Sequence, residues 1–224
     1  MDDLTRIGIQ TGTDKAYYHM FTQNYEPYFR PLRNKFINIL EIGIHEGSSL
    51  RMLQSYFPNA NIYAIDVNRT SVREYGPRIH TYLCDQTDAV QLHSLFGHLK
   101  FDIIIDDGSH VTSHQQRTLG ILFPLLVPGG IYICEDIHTS FVPSCVDSQT
   151  TTLDLLKKKS FQSEYISSDA QALLTEHVST VTIYNRATLP YKCWKCKQFY
   201  SLCPCGTNLQ PSPYDSQTAV IVRV

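Results

Sequence analysis

Apolar runs alternate with helical periodicity over the first two thirds of the chain. The apolar runs predict strands at 36–42, 61–66, 79–84, 101–106 and 131–134. Between them, the spacing of apolar residues predicts helices at 48–56, 88–96 and 113–126, and Pro128-Gly129-Gly130 is expected to end the last of these. Strands that alternate with helices predict βαβ units and a mostly parallel sheet, with both faces covered because the strands are continuously apolar.

The two ends of the chain depart from this alternation. In the last third, helices are predicted at 147–159 and 163–177, and strand patterns follow at 178–184 and 218–224. Residues 186–217, rich in Pro, Cys and Tyr, are expected to form an insertion before the last strand. Residues 1–34 are expected to form a helical segment whose aromatic side chains pack on the sheet, with a lid over a substrate as the alternative. We expect 1–224 to form a single α/β domain.

Composition and charge narrow the classes of partner. The formal net charge of −2 gives no basic surface for nucleic acid, so no nucleic acid partner is expected. No apolar stretch is as long as a membrane span, and the acidic start Met1-Asp2-Asp3 does not resemble a signal peptide, so we expect no membrane insertion and no secretion. The seven cysteines are then expected in a reducing compartment, the cytoplasm.

A glycine-containing loop follows the first predicted strand and opens a helix. Its pattern is Glu41-x-Gly43-x-x-x-Gly47-Ser48, in which the glycines permit a tight turn and close approach of a ligand to the backbone. The spacing is not that of a dinucleotide site, and no Gly-Lys-Ser/Thr of a P-loop follows. We interpret the loop as part of a nucleoside-cofactor site.

Acidic residues end the next strands of the predicted sheet. Asp66 is placed to accept hydrogen bonds from two ribose hydroxyls, a role that serves nicotinamide and S-adenosylmethionine cofactors alike. Asp85 would reach an adenine amino group, or else belongs to a turn or a helix N-cap. Asp106 is expected to lie on the cofactor side of its strand end, with a structural role as the alternative.

Two further acidic sites follow the last two strands of the alternating region. Asp107, three residues before His110, follows the strand at 101–106, and Glu135-Asp136 follows the strand at 131–134. Since ligands bind outside the carboxyl ends of the strands, these groups are expected to lie together. Carboxylate oxygens suit Mg²⁺, and an imidazole accepts a proton near neutral pH. The sequence predicts a magnesium site with a base beside it; the alternative is a helix cap and a solvated turn.

These motifs together resemble the class I S-adenosylmethionine-dependent methyltransferases. The likeness is greatest to the metal-dependent sugar O-methyltransferases of macrolide biosynthesis, of the mycinamicin and macrocin type. It covers roughly residues 12–140 and is carried by Gly12-Thr13-Asp14-Lys15, Leu40-Glu41-Ile42-Gly43, Ile65-Asp66, the segment 105–110, and Gly129-Gly130 to Glu135-Asp136.

The resemblance implies a fold, two cofactors and a reaction. The fold would be a Rossmann-like, doubly wound, seven-stranded sheet whose last strand is antiparallel. S-adenosylmethionine would bind at the glycine loop, and Mg²⁺ would be held by Asp107, Glu135 and Asp136. His110 would be the general base for methylation of a hydroxyl on a small molecule such as a sugar. Relatives of this type are often oligomers, so a homo-oligomer is kept open.

The Cys-rich insertion departs from the family. Cys193-x-x-Cys196 and Cys203-x-Cys205 are candidate ligands of a structural Zn²⁺, with free thiols as an equal alternative and disulfides behind both. Two other functions stay open at this point. One is a nicotinamide-dependent reductase, which the glycine spacing disfavours, and the other is a non-catalytic, methyltransferase-like binding protein.

Overall fold

The computed structural model describes residues 1–186 and 216–224. Helices come first: α1 (Asp3–Thr11), α2 (Asp14–Tyr17) and α3 (Thr22–Phe29). Strands and helices then follow as β1 (Asn38–Ile42), α4 (Ser48–Tyr56), β2 (Asn61–Asp66), β3 (Ile79–Leu83), α5 (Ala89–Phe96), β4 (Phe101–Asp106), α6 (Thr112–Leu122) and β5 (Leu126–Cys134). After them come α7 (Thr152–Lys158), α8 (Ser168–His177), β6 (Val178–Asn185) and β7 (Gln217–Arg223).

The described strands form a seven-stranded sheet in the order β3-β2-β1-β4-β5-β7-β6. Strands β1 to β5 pair in parallel, and β7 runs antiparallel to both β5 and β6. The strand order reverses between β1 and β4, which is where an open α/β sheet forms a crevice for ligands. The predicted Rossmann-like sheet with an antiparallel last strand is confirmed.

The predicted element boundaries are right for the strands at 61–66 and 101–106 and for the helix at 48–56. The helix predicted at 113–126 ends earlier, at Leu122, and β5 begins at Leu126. Pro128 and Gly129 therefore lie inside β5, exposed, and the prediction that they end a helix is wrong. The β4–β5 pairing is irregular just there, so the missing N–H of Pro128 breaks no ladder of hydrogen bonds.

Two later helices begin further along the chain than predicted, because residues with capping side chains precede them. The Thr151 hydroxyl accepts a hydrogen bond from the Asp154 N–H, and α7 begins after it. The Ser167 hydroxyl does the same for the Ala170 N–H at the start of α8. Such side chains satisfy backbone donors that a helix cannot satisfy internally, and so they fix where the helix starts.

The N-terminal helices pack on the face of the sheet that α4 also covers. Tyr25 and Phe29 are fully buried, and the ring of Phe29 lies 5.3 Å from that of Phe57. The Tyr25 hydroxyl also hydrogen-bonds Thr218 Oγ1 of β7, at 3.0 Å. These aromatic side chains therefore pack on the sheet as predicted, although Tyr17 of α2 lines the cavity described below.

Most of the predicted Cys-rich insertion, residues 187–215, lies outside the described residues. The candidate zinc ligands Cys193, Cys196, Cys203 and Cys205 all belong to it, so the zinc site stays a prediction. Within the described ranges, every helix is too short or too polar to cross a membrane.

Gly43 marks the point where β1 touches the loop after β4. Its backbone is left-handed, with φ +90°, and an added Cβ would lie 2.1 Å from the carbonyl oxygen of Asp107. The contact is fixed on both sides, because the Gly43 N–H bonds the Ile65 carbonyl and the Asp107 N–H bonds the Ile42 carbonyl. Only glycine satisfies both the backbone conformation and the close approach.

We expect Gly43→Ala to lower the free energy of unfolding more than Gly129→Ala does. Gly129 also has a positive φ, +78°, but an added Cβ there would meet nothing within 4 Å. Both variants incur about 1–2 kcal/mol for a left-handed alanine. Only Gly43→Ala adds overpacking, of about 1–3 kcal/mol. Urea unfolding compares the two variants, and equal losses would contradict the contact.

Candidate active site

A cavity opens at the carboxyl ends of β1, β2, β4 and β5. Its volume is about 640 Å³, which is ordinary for a small-molecule site. Gly43 and Asp66 line it on the side of β1 and β2, and Asp107, His110 and Asp136 line it on the side of β4 and β5. The structure thus brings the predicted metal residues and most of the predicted cofactor residues to one cavity, but Gly47 and Asp106 do not line it.

A hydrogen bond between β1 and α4 fixes the loop that joins them. Glu41 is fully buried, and its Oε1 accepts a hydrogen bond of 2.6 Å from Ser49 Oγ of α4. Burial raises the pKa of the Glu41 carboxyl to about 7. Glu41, Gly43 and Ser48 line the cavity. Gly47 precedes α4 in a left-handed conformation, with φ 72°, and turns the chain into that helix.

Asp66, at the end of β2, holds the same loop from the side. Its Oδ2 accepts the backbone N–H groups of Ile44 at 2.9 Å and His45 at 3.1 Å. Its Oδ1 accepts the N–H of Asn68 at 2.7 Å. A carboxylate has about four acceptor positions, so these bonds leave one for a ribose hydroxyl. Asp66 therefore shapes the loop and can still bind a ligand.

The next two predicted acids occupy different positions. Asp85 lines the cavity, and hydrogen bonds from the N–H and the hydroxyl of Thr87 lower the pKa of its carboxyl. Asp106 is buried behind the cavity wall, where it accepts hydrogen bonds from Tyr132 Oη at 3.1 Å and Gln86 Nε2 at 3.2 Å. Burial raises the pKa of Asp106 to about 7. These contacts match the structural alternative for Asp106.

Gln86 is a residue of the site that the sequence reasoning missed. Its Nε2 bonds Asp106 and Thr118, and its Oε1 accepts the N–H of Ser109 at 2.8 Å. A Cβ added to Gly108 would come within 2.1 Å of that Oε1. Gln86 thereby ties the loop after β3 to the loop after β4. The one available signal was its position directly after a strand-end Asp.

Three predicted residues meet where β4 and β5 end. Asp107, His110 and Asp136 each offer one ligand atom, and these atoms lie within 4.8 Å of one another. His110 Nε2 is 3.7 Å from Asp107 Oδ1 and 3.7 Å from Asp136 Oδ2. Two carboxylate oxygens and an imidazole nitrogen at this spacing can hold a divalent cation or share a proton.

The backbone at this cluster is strained. His110 and Asp136 both have left-handed conformations, with φ of 58° and 51°. Such a conformation costs a non-glycine residue about 1–3 kcal/mol, and residues that adopt it cluster at functional sites. Burial also lowers the pKa of His110, so its imidazole is neutral near pH 7 and able to accept a proton.

Glu135 is the most deeply buried of the predicted metal ligands, with 1% of the residue exposed. Its Oε2 accepts a hydrogen bond of 2.9 Å from Lys15 Nζ. Its Oε1 is buried and accepts no hydrogen bond of ordinary geometry from the described residues, although the Tyr25 hydroxyl lies close enough to interact with this carboxyl group. Burial raises the pKa of the Glu135 carboxyl well above its ordinary value, against the opposing effect of Lys15. A buried carboxylate oxygen left in this state is a candidate ligand atom for a cation.

Lys15 is the second residue that the sequence reasoning missed as part of the site. Its ammonium is buried, and it contacts Asp107 Oδ2, Glu135 Oε2 at 2.9 Å and Glu41 Oε1 at 3.6 Å. Burial lowers the pKa of Lys15, but the carboxylates outweigh that effect and hold it well above its ordinary value. Lys15 lies within the Gly12–Lys15 motif, yet no local pattern shows that it reaches the ends of three strands.

His19 is a further contact of the acidic cluster. Its Nδ1 lies 3.5 Å from Asp136 Oδ1 and 3.0 Å from Ser216 Oγ. Burial lowers its pKa to about 4, so the ring is neutral near pH 7. His19 also lines the cavity, close to the candidate metal ligand Asp136.

Comparison with known proteins agrees with this geometry. Residues 40–137 match a family model described as a methyltransferase domain. The chain is 36% identical over 167 residues to an 8-demethyl-8-alpha-L-rhamnosyl tetracenomycin-C 2'-O-methyltransferase of Streptomyces olivaceus, over 69% of this chain and 44% of that protein. It is 39% identical over 173 residues to a mycinamicin VI 2''-O-methyltransferase of Micromonospora griseorubida, over 69% of this chain and 42% of that protein. The chain thus matches less than half the length of these relatives.

A solved structure extends the likeness to nearly the whole chain. It is a MycE methyltransferase from the mycinamycin biosynthetic pathway, in complex with Mg and SAH. The two folds agree with a TM-score of 0.71 at 29% sequence identity, over 99% of this chain and 55% of that one. These similarities agree with the fold of the sheet and with the position of the cavity where the strand order reverses. The chain belongs to the class I methyltransferases and is similar, among them, to sugar O-methyltransferases.

Proposed function

We propose that this chain is an S-adenosylmethionine- and Mg²⁺-dependent O-methyltransferase that acts on a hydroxyl group of a small molecule bearing a sugar. The observation that carries the proposal is the single cavity that joins the glycine loop after β1 to the acidic cluster after β4 and β5. A cofactor on the first side and a metal-bound acceptor on the second would then face each other. Proximity of this kind contributes much of the rate of such transfers.

S-adenosylmethionine supplies a methyl group on a positively charged sulfur. Gly43 and Ser48 would allow the cofactor close approach to the loop backbone, and Asp66 would offer its one remaining acceptor position to a ribose hydroxyl. Asp85 lies further along the same wall, at the end of β3, within the region expected for the adenine. The buried Glu41 holds the loop through Ser49 and keeps it in this shape.

The residues present fit a hard divalent cation. Asp107, Asp136 and His110 each have a possible ligand atom within 4.8 Å of the other two. Glu135 Oε1 accepts no hydrogen bond of ordinary geometry from the described residues. Mg²⁺ prefers few protein carboxylates and keeps several waters or substrate oxygens. Bound there, it would lower the pKa of an acceptor hydroxyl.

His110 is placed to remove the proton of that hydroxyl. Its Nε2 faces the two carboxylates of the metal position, and its ring is neutral near pH 7. His110 Nε2 would accept the proton of the acceptor hydroxyl, and the bound cofactor would supply the methyl group and leave as S-adenosylhomocysteine. The names of the relatives support a sugar as acceptor, because one acts on a rhamnosyl group and another on mycinamicin VI.

Cofactor binding is the first test of this proposal. The purified protein is titrated calorimetrically with S-adenosylmethionine and, separately, with NADH, each with and without Mg²⁺. We expect micromolar binding of S-adenosylmethionine and no binding of NADH. Binding of NADH instead would move the assignment to a reductase. Binding of neither compound would leave a methyltransferase-like binding protein.

His110→Ala is expected to lower turnover about 100- to 10,000-fold, the usual contribution of a positioned general base. Release of S-adenosylhomocysteine is measured with a panel of hydroxyl-bearing glycosides. Affinity for S-adenosylmethionine should stay unchanged. The matched control is His98→Ala, because His98 is an exposed histidine that does not line the cavity. Unchanged turnover in His110→Ala would remove His110 from the mechanism.

Asp136→Asn is expected to weaken Mg²⁺ binding by at least about 10- to 100-fold, since even residues that only support a metal ligand have effects of this size. Titration of Mg²⁺ into the protein without cofactor measures this directly. Asp154→Asn serves as the control, because Asp154 is exposed in the first turn of α7. Equal Mg²⁺ affinity in the two variants would defeat the metal assignment.

A further inference from the structure

Lys15 enters the candidate metal site from outside the strands that carry its carboxylates. It belongs to α2, which precedes the matched methyltransferase domain at 40–137. Its side chain is only 2% exposed and lies between Asp107 and Glu135, which follow different strands. A lysine so buried is rare unless its charge is paired.

Each of these two contacts engages one oxygen of a carboxylate and leaves the other. Lys15 bonds Oδ2 of Asp107, while Oδ1 faces His110 Nε2 at 3.7 Å. It bonds Oε2 of Glu135, while the buried Oε1 accepts no hydrogen bond of ordinary geometry in the described part of the chain. Oδ1 and Oε1 are therefore the oxygens of these two carboxylates that Lys15 leaves unbonded, and of the two residues Asp107 belongs to the group whose ligand atoms lie within 4.8 Å of one another.

We propose that Lys15 is a positioning residue that makes Asp107 and Glu135 bind a divalent cation through one oxygen each, and thereby selects Mg²⁺ over Ca²⁺. The proposal rests on the metal site of the proposed function and adds to it the residue that sets the choice of metal.

The physical basis is the difference between the two ions. Mg²⁺ is small, demands near-octahedral geometry and takes carboxylates together with several waters. Ca²⁺ is larger, accepts six to eight oxygens and often binds a carboxylate through both of them. Lys15 holds one oxygen of each carboxylate away from the cation and adds a positive charge beside it. Removing Lys15 frees both oxygens, which benefits Ca²⁺ more than Mg²⁺.

The test is titration of Mg²⁺ and of Ca²⁺ into the full chain without cofactor, for wild type, Lys15→Met and Lys15→Gln. The matched control is Lys100→Met, because Lys100 is exposed, precedes the amino end of β4 and bonds the Pro124 carbonyl, away from the cavity at the carboxyl ends. Wild type and Lys100→Met should prefer Mg²⁺. Both Lys15 variants should shift the ratio of the two affinities towards Ca²⁺ by about 10-fold or more.

The role of Lys15 would be overturned if the ratio of the Mg²⁺ and Ca²⁺ affinities were unchanged in the Lys15 variants, or if the wild type preferred Ca²⁺. Neither result would contradict the metal site itself. A wild type that binds neither ion would instead remove the metal dependence of the proposed function, and this proposal with it.

If loss of Lys15 destabilises the protein, melting temperatures measured with each ion still test the proposal. The melting temperature of each Lys15 variant should then rise more with Ca²⁺ than with Mg²⁺, because Ca²⁺ replaces the missing charge and uses the freed oxygens. Equal stabilisation by the two ions, or none, would count against the proposal.

Discussion

The site depends on one constraint, which is that carboxylates are buried at the carboxyl ends of the parallel strands. Parallel strands bring their carboxyl ends together, and here those ends carry Glu41, Asp106, Asp107, Glu135 and Asp136. A buried charge without a partner costs several kcal/mol, so each acid needs a compensating group. The structure uses two solutions. Asp106 bonds to the neutral side chains of Tyr132 and Gln86, whereas Glu135 bonds to the ammonium of Lys15. The first solution buries Asp106 behind the cavity wall, and the second places Glu135 in the cavity wall beside Lys15.

The ammonium comes from the N-terminal segment, which makes that segment part of the site. Its helices are anchored by apolar packing, notably of Tyr25 and Phe29 against the sheet and Phe57. Burial of each such side chain contributes about 1.5–3 kcal/mol. This energy holds α2 against the ends of the strands and offsets the cost of bringing Lys15 out of water. A domain that began at residue 40, where the family match begins, would carry the acids without the cation that orders them.

The sequence predicts those features that depend on local pattern, and it fails where a feature depends on distant contacts. The strands at 61–66 and 101–106 are continuously apolar because both faces are covered, so their bounds are readable. The acids that follow the strands are readable too, because the topology fixes where strand ends meet. Lys15, by contrast, lies 92 and 120 residues from the acids that it bonds. Pro128 was misread because a bulge in the pairing of β5 with β4 tolerates a proline that a regular strand would not.

The cofactor side and the metal side of the cavity are mechanically joined. Gly43 touches the backbone of Asp107 so closely that no side chain fits between them. Gln86, beside the region expected for the adenine, holds the N–H of Ser109 in the loop that carries His110. A ligand that shifts the glycine loop therefore acts on the backbone of Asp107, and a ligand that fixes the loop after β4 acts on Gly43 in the same way. Because binding effects of this kind are reciprocal, the affinities for the two cofactors are expected to depend on each other. The coupling then follows from the close packing of two strand ends, without any large movement of the domain.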